Sequence, residues 1–169
     1  MQTKTNRSAA RLLYHLTFLV VMPAILVLTC APPAGSEIRQ LKGQTVYVPA
    51  YSDIYYGDRE KPFHLTVTLS IRNIDPKHPL TVVSIDYFDS EGKLLRKELD
   101  KEIRISPIAS TSYVIKESDK AGGVGASFRV VWKSEAGICE PLIETVMIGT
   151  LTQQGISFTS RGRAIEETP

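Results

Sequence analysis

Cysteine is scarce in this 169-residue chain, which has only Cys30 and Cys139. Two cysteines are too few for a disulfide framework, so burial of apolar surface must stabilise the fold. Histidine is nearly as rare, with three in all, and only His64 and His78 lie beyond the N-terminal segment. A metal site needs three or four convergent donors at a recognisable spacing. Asp75 with His78 is a fragment of one, so no metal and no cofactor is expected. Asp86, Asp89 and Glu91 fall short of a calcium loop and read as turn residues. No G-x-S-x-G elbow occurs, and Cys139 has no histidine near it in sequence. Gly122-Gly123-x-Gly125 lacks the following helix and lysine of a phosphate loop, and reads as a flexible connection. No excess of positive charge is available either. With Lys4, Arg7 and Arg11 set aside, seventeen of the twenty basic residues face eighteen acidic ones. Such a near-neutral domain has no field to gather polyanions, so nucleic acid is not an expected partner.

Those three basic residues open a tripartite N-terminus. They precede the apolar run LLYHLTFLVVMPAILVL and then Thr29-Cys30-Ala31. The order matches a secretory signal, with a positive flank, a short apolar stretch and small residues at its end. A spanning helix needs about 20 apolar residues, whereas the clean run is Phe18–Leu28, interrupted by Pro23. Three outcomes share one consequence. Cleavage after Ala31 would place Pro32 just past the cut, which is unfavourable. An uncleaved anchor would keep the basic flank in the cytoplasm. A bacterial lipoprotein signal would make Cys30 the first residue and attach lipid to it, although Leu28 and Thr29 fit a lipobox imperfectly. All three export the rest of the chain, and lipidation at Cys30 is the preferred reading. Residues 1–30 are thus expected to be a signal helix, and 31–43 a Pro/Gly tether that cannot pack.

From residue 44 to 162 the dominant period is two. In FHLTVTLSIR, Phe63, Leu65, Val67, Leu69 and Ile71 share one face, while His64, Thr66, Thr68, Ser70 and Arg72 share the other. This is the pattern of a strand packed on one side and wet on the other. SFRVVWK repeats it, with Phe128, Val130 and Trp132 on the apolar face. Further strands are expected at Thr45–Tyr51, Thr81–Phe88, Leu94–Leu99, Thr111–Lys116, Leu142–Leu151 and Ile156–Thr159. The Leu142–Leu151 run lacks clean alternation and reads as a central strand covered on both faces. Asp89-Ser-Glu-Gly92 is a hairpin loop, with Gly where positive φ is needed. After residue 40 no ten-residue stretch carries a 3.6-residue period. About eight short strands in ~120 residues predict an all-β, antiparallel β-sandwich of immunoglobulin-like type. Without paired cysteines, its centre must form around Trp132. Residues 163–169 read as a disordered tail.

VYVPAYSDIYYGDREKPFHLTVTLSIRN, SIDYFDSEG, ESDKAGGVGASF and MIGTLTQQGISFTSRG together resemble a bacterial family, domain-of-unknown-function family 3124. The resemblance covers roughly Thr45 to Gly162. It implies a bacterial, usually exported, single-domain protein, and it carries over no catalytic or binding residue.

Two segments stand out as candidate binding surface. Tyr47, Tyr51, Tyr55 and Tyr56 place four of seven tyrosines within ten residues, followed by Gly57-Asp58-Arg59-Glu60. Tyrosine offers a large contact area with a polar tip and is enriched at recognition surfaces. The second segment holds Gln154 and Arg161 on the polar edge of a terminal strand, suited to an anion or a partner strand. The expected function is a non-enzymatic binding or adaptor module on the periplasmic side of a bacterial membrane, held there by lipid or an uncleaved signal. Its partner would be an envelope protein or glycan. Two alternatives stand beside it: a small periplasmic enzyme using carboxylates such as Asp58 or Asp86, and an assembly protein pairing through an open edge at Ile156–Thr159. The address is tested by mass analysis of the mature N-terminus. Acylated Cys30 is expected there, with Cys30→Ser leaving the chain unprocessed. An unmodified terminus downstream of Cys30 would sink the lipoprotein reading.

Overall fold

The structure is a computed structural model that describes residues 39–58, 61–150 and 155–169. Among the described residues it is all-β, with antiparallel pairing throughout. The expected signal segment and the greater part of the expected tether lie outside them. The strands are β1 (Gln40–Pro49), β2 (Asp53–Tyr56), β3 (Lys61–His64), β4 (Thr66–Arg72), β5 (Leu80–Phe88) and β6 (Leu94–Lys97). They continue as β7 (Ile103–Ile105), β8 (Ser110–Ile115), β9 (Ser127–Cys139), β10 (Leu142–Gly149), β11 (Ile156–Arg161) and β12 (Arg163–Thr168). One sheet runs β12-β1-β9-β5-β6, with β7 also on β5; the other runs β11-β10-β4-β8. Strands β2 and β3 form a separate two-stranded hairpin.

The period-two pattern places the core as expected. Val67, Leu69 and Ile71 of β4 are fully buried, as are Ile115 of β8 and Met147 of β10. They belong to one cluster with Val46 and Val48 of β1, Ile85 and Tyr87 of β5, and Phe128, Val130 and Trp132 of β9. This makes a sandwich whose two inner faces interdigitate. Trp132 lies at its centre, and its indole N–H donates to Oε1 of buried Gln44 at 3.2 Å. Removing so large a buried ring costs about 3–5 kcal/mol in typical cores.

Four strands beyond the eight expected arise from backbone pairing, local for β2 with β3 and long-range for β7 and β12. The FHLTVTLSIR run is split at Leu65, whose N–H donates to the Ser52 carbonyl at 2.8 Å. Its front becomes β3 and pairs with β2 instead of joining the main sheet. Ile103–Ile105 is too short for periodicity to reveal, yet it pairs with Leu80–Val82 of β5. Arg163–Thr168, expected as a disordered tail, forms β12 along β1, which itself begins at Gln40 inside the expected tether. The physical reason is backbone pairing: a polar, charged strand needs no apolar alternation when one side hydrogen-bonds to a neighbour and the other faces water. The β10 expectation also changes. The strand is central in its sheet, but Ile143, Thr145 and Met147 point inward while Glu144 and Ile148 point outward, so its apolar outer residues masked the alternation.

β11 and β12 lie in different sheets with only Gly162 between them. The chain turns the corner there, and the Gly162 N–H donates to the Ile143 carbonyl at 2.9 Å. A Cβ at this position would sit 2.7 Å from Val46 Cγ1. At Gly149 a Cβ would overlap the Phe63 ring. Gly162→Ala and Gly149→Ala should each destabilise by about 1–3 kcal/mol, the usual cost of overpacking. Gly155→Ala, which meets only one backbone oxygen at 3.9 Å, should stay within about 0.5 kcal/mol. Denaturant midpoints of the three variants check the order.

Candidate functional site

The tyrosines of the first candidate segment part company. Tyr47 lies on the outer face of the larger sheet, directly across from Arg129 on one side and Arg163 on the other. Tyr51 is half-buried and packs edge-on against Phe158 of β11, with ring centroids 5.7 Å apart. Tyr55 and Tyr56 are 59% and 51% exposed on β2. Tyr56 leans edge-on against Phe63, with ring centroids 6.0 Å apart. Asp58 is exposed just beyond them, after Gly57 takes the positive φ of 66°. Arg59 and Gln154 lie outside the described residues, as does Cys30.

The second segment is carried by β11 of the smaller sheet. Arg161 pairs across from Glu144 and lines a hollow of about 280 Å³ with Val46, Glu140, Pro141, Ile143 and Gly162. β11 is the last strand of its sheet among the described residues, so its outer side has no strand partner there. Phe158, reaching Tyr51, links the two segments.

The carboxylates are committed to other groups. Asp86 is 4% exposed and accepts from Arg129 Nη2 at 2.7 Å. The Asp89 carboxylate accepts the Glu91 and Lys93 N–H groups at 3.0 and 2.8 Å, the turn role its sequence context indicates. The glycine loop is held in place: Ser90 donates its N–H and its hydroxyl to the Gly122 carbonyl, and accepts the Gly125 N–H at 2.8 Å. Gly122 packs beneath the Tyr87 hydroxyl, which shares a 2.6 Å hydrogen bond with Ser52. Burial pushes the Tyr87 phenol up from its ordinary range. The expected flexible connection is therefore a packed support for that buried pair.

Sequence reasoning missed one constellation. Hairpin register sets Asp53 directly opposite His64, and Oδ1 of the first lies 2.5 Å from Nδ1 of the second. Eleven residues separate them in sequence. The only available signal was their equal distance from the stretch Gly57-Asp58-Arg59-Glu60 in the sequence, which becomes meaningful once 53–56 is recognised as a strand. His64 also lines an open hollow with Lys116, Glu117, Ser118 and Lys120. Among the described residues no group of three or more His, Cys, Asp or Glu is arranged to hold a metal ion.

Together these features define an all-β sandwich with a tyrosine-bearing hairpin outside its two sheets. The chain belongs to the family described as Protein of unknown function (DUF3124), whose model matches residues 43–165. No curated protein matches it. Among solved structures, the crystal structure of Thermotoga maritima 1070 is similar at 14% identity with a TM-score of 0.44, covering 76% of this chain and 98% of that one.

The most strongly held acid lies in the 73–78 loop. The Asp75 carboxylate accepts the His78 and Lys77 N–H groups, both at 2.8 Å, and the Cys139 N–H at 3.2 Å. Those donors favour the charged form and hold its pKa down to about 2, from an ordinary 3.8. The group therefore adds stability that is complete above pH ~4 and lost as pH falls through ~2. Asp75→Asn should lower stability at neutral pH and flatten its decline between pH 4 and 2, as read by thermal melts across that window.

Proposed function

We propose that this protein is a non-enzymatic binding module of the bacterial cell envelope, exported and lipid-anchored through Cys30. It engages an envelope protein or glycan through the β2–β3 hairpin. One observation supports the contact surface above all: adjacent Tyr55 and Tyr56, each more than half exposed, on a hairpin that belongs to neither main sheet. Exposed large aromatics on a braced strand give contact area at little entropic cost, which is what recognition requires and what stability alone does not. The enzyme alternative loses ground because Asp86 is held by Arg129 and Asp58 stands exposed in a turn. The address rests on the N-terminal sequence pattern and the proposed acylation.

Crosslinking in intact cells, followed by affinity purification, provides the test. The wild type should capture a defined partner, and Tyr55→Ala with Tyr56→Ala should abolish capture without lowering the melting temperature by more than a few degrees. Equal capture by the double variant would overturn the hairpin surface. Crosslinks confined to a second copy of the chain through Ile156–Thr159 would replace it with assembly by strand pairing.

A further inference from the structure

Strand geometry places more than tyrosine on the hairpin. Residues directly opposite share a face, and alternate residues along a strand share it too. Asp53, Tyr55, Pro62 and His64 therefore occupy one face, and Ile54, Tyr56, Lys61 and Phe63 the other. On the first face the Asp53–His64 pair is mostly shielded, with the imidazole side chain 23% exposed and the carboxylate 13%. Asp53 engages Nδ1, which fixes the ring and leaves Nε2 for another partner. His64 forms one wall of a hollow of about 460 Å³ whose other walls are Lys116, Glu117, Ser118 and Lys120. Neither lysine makes an ion pair among the described residues, in contrast to Arg39, Arg96, Arg129 and Lys133.

We propose that the hollow between His64 and the Lys116–Lys120 turn binds a phosphoryl group, adjacent to the aromatic surface of Tyr55. The inference rests on the binding-module reading and supplies the chemistry of its ligand. The donors are an imidazole nitrogen, a hydroxyl and two ammonium groups, arriving from β3 and from the segment that follows β8. Such separated point donors suit a tetrahedral group with oxygens in several directions. A planar carboxylate is matched better by an arginine fork, and no arginine lines this hollow among the described residues. Glu117 supplies one opposing charge at the wall, so affinity is modest and depends on both lysines. The hollow is open, so a phosphoryl group on a lipid headgroup fits its mouth as readily as free phosphate.

The test is a titration of the full chain kept soluble by a non-ionic amphipathic polymer that leaves vesicles intact, followed through the His64 imidazole resonances at constant ionic strength. Inorganic phosphate and phosphatidylglycerol vesicles are the two probes, with chloride and acetate as controls. At least one phosphoryl probe should give a saturable shift, and the controls should not. Saturation by phosphate alone assigns a free anion; saturation by vesicles alone assigns a headgroup. Lys116→Gln with Lys120→Gln, both at exposed positions, should weaken binding about tenfold or more, and Glu117→Gln should tighten it severalfold. Absence of saturation with both probes, an equal response to acetate, or unchanged binding in the double lysine variant each overturns the proposal. The titration reads the hollow and the cellular crosslink reads the tyrosines, so failure of one is distinguishable from failure of the other.

Discussion

One chain crossing from sheet to sheet governs the rest of this molecule. β11 closes the smaller sheet, β12 closes the larger, and Gly162 alone separates them. The two sheets are therefore joined covalently along one side at the shortest possible distance. A side chain at the corner would push against Val46 and Val48 from the larger sheet and the Ile143 carbonyl from the smaller. The same region holds a buried polar link: Thr145 of β10 donates its hydroxyl to the Pro49 carbonyl at the end of β1 at 2.6 Å. With the edge fixed in this way, the inward rows of β4, β5 and β9 face each other at a defined register.

Inside the sandwich, polar groups are retained where strands end or bend, and each has a partner. Among the described residues no buried side-chain nitrogen or oxygen lacks one. Gln44 accepts from Trp132 and donates toward Glu140, tying β9 to β1 and to the turn after β9. Ser52 and Tyr87 satisfy each other beside Gly122. Asn73 donates toward the His78, Ile105 and Ser106 carbonyls and accepts the Asp75 N–H. An unpartnered group in any of these places would cost about 1–3 kcal/mol, so the pairs fix which loops lie against the core.

The hairpin is built differently from the sandwich and carries different chemistry. Its root is fixed where Leu65 bonds to Ser52 and where Tyr51 meets Phe158. Beyond that root, apolar surface is exposed at Tyr55 and Tyr56, and the polar pair Asp53–His64 faces a hollow bordered by lysines. A rigid scaffold presenting exposed side chains on a short extension is the usual division of labour between stability and recognition.

The alternation Phe63–Arg72 and Phe128–Lys133 was enough to establish an all-β sandwich centred on Trp132, because side-chain direction in a strand follows from residue parity alone. The tyrosine cluster was equally visible, since four of the seven crowd ten residues. The partition among those tyrosines was not visible: Tyr51 packs against Phe158, more than a hundred residues away, while Tyr55 and Tyr56 are exposed. Nor were β7 and β12, which carry no hydrophobic period and exist through pairing with a distant strand, or the split of β3 from β4, which falls inside one unbroken period and is made by the pairing of β3 with β2. The Asp53–His64 pair and its lysine neighbours needed both the hairpin register and the packing of the β8–β9 segment. Parity is a local property that any stretch of chain reveals by itself. Which strand lies beside which is settled only when the whole chain buries its apolar faces at once.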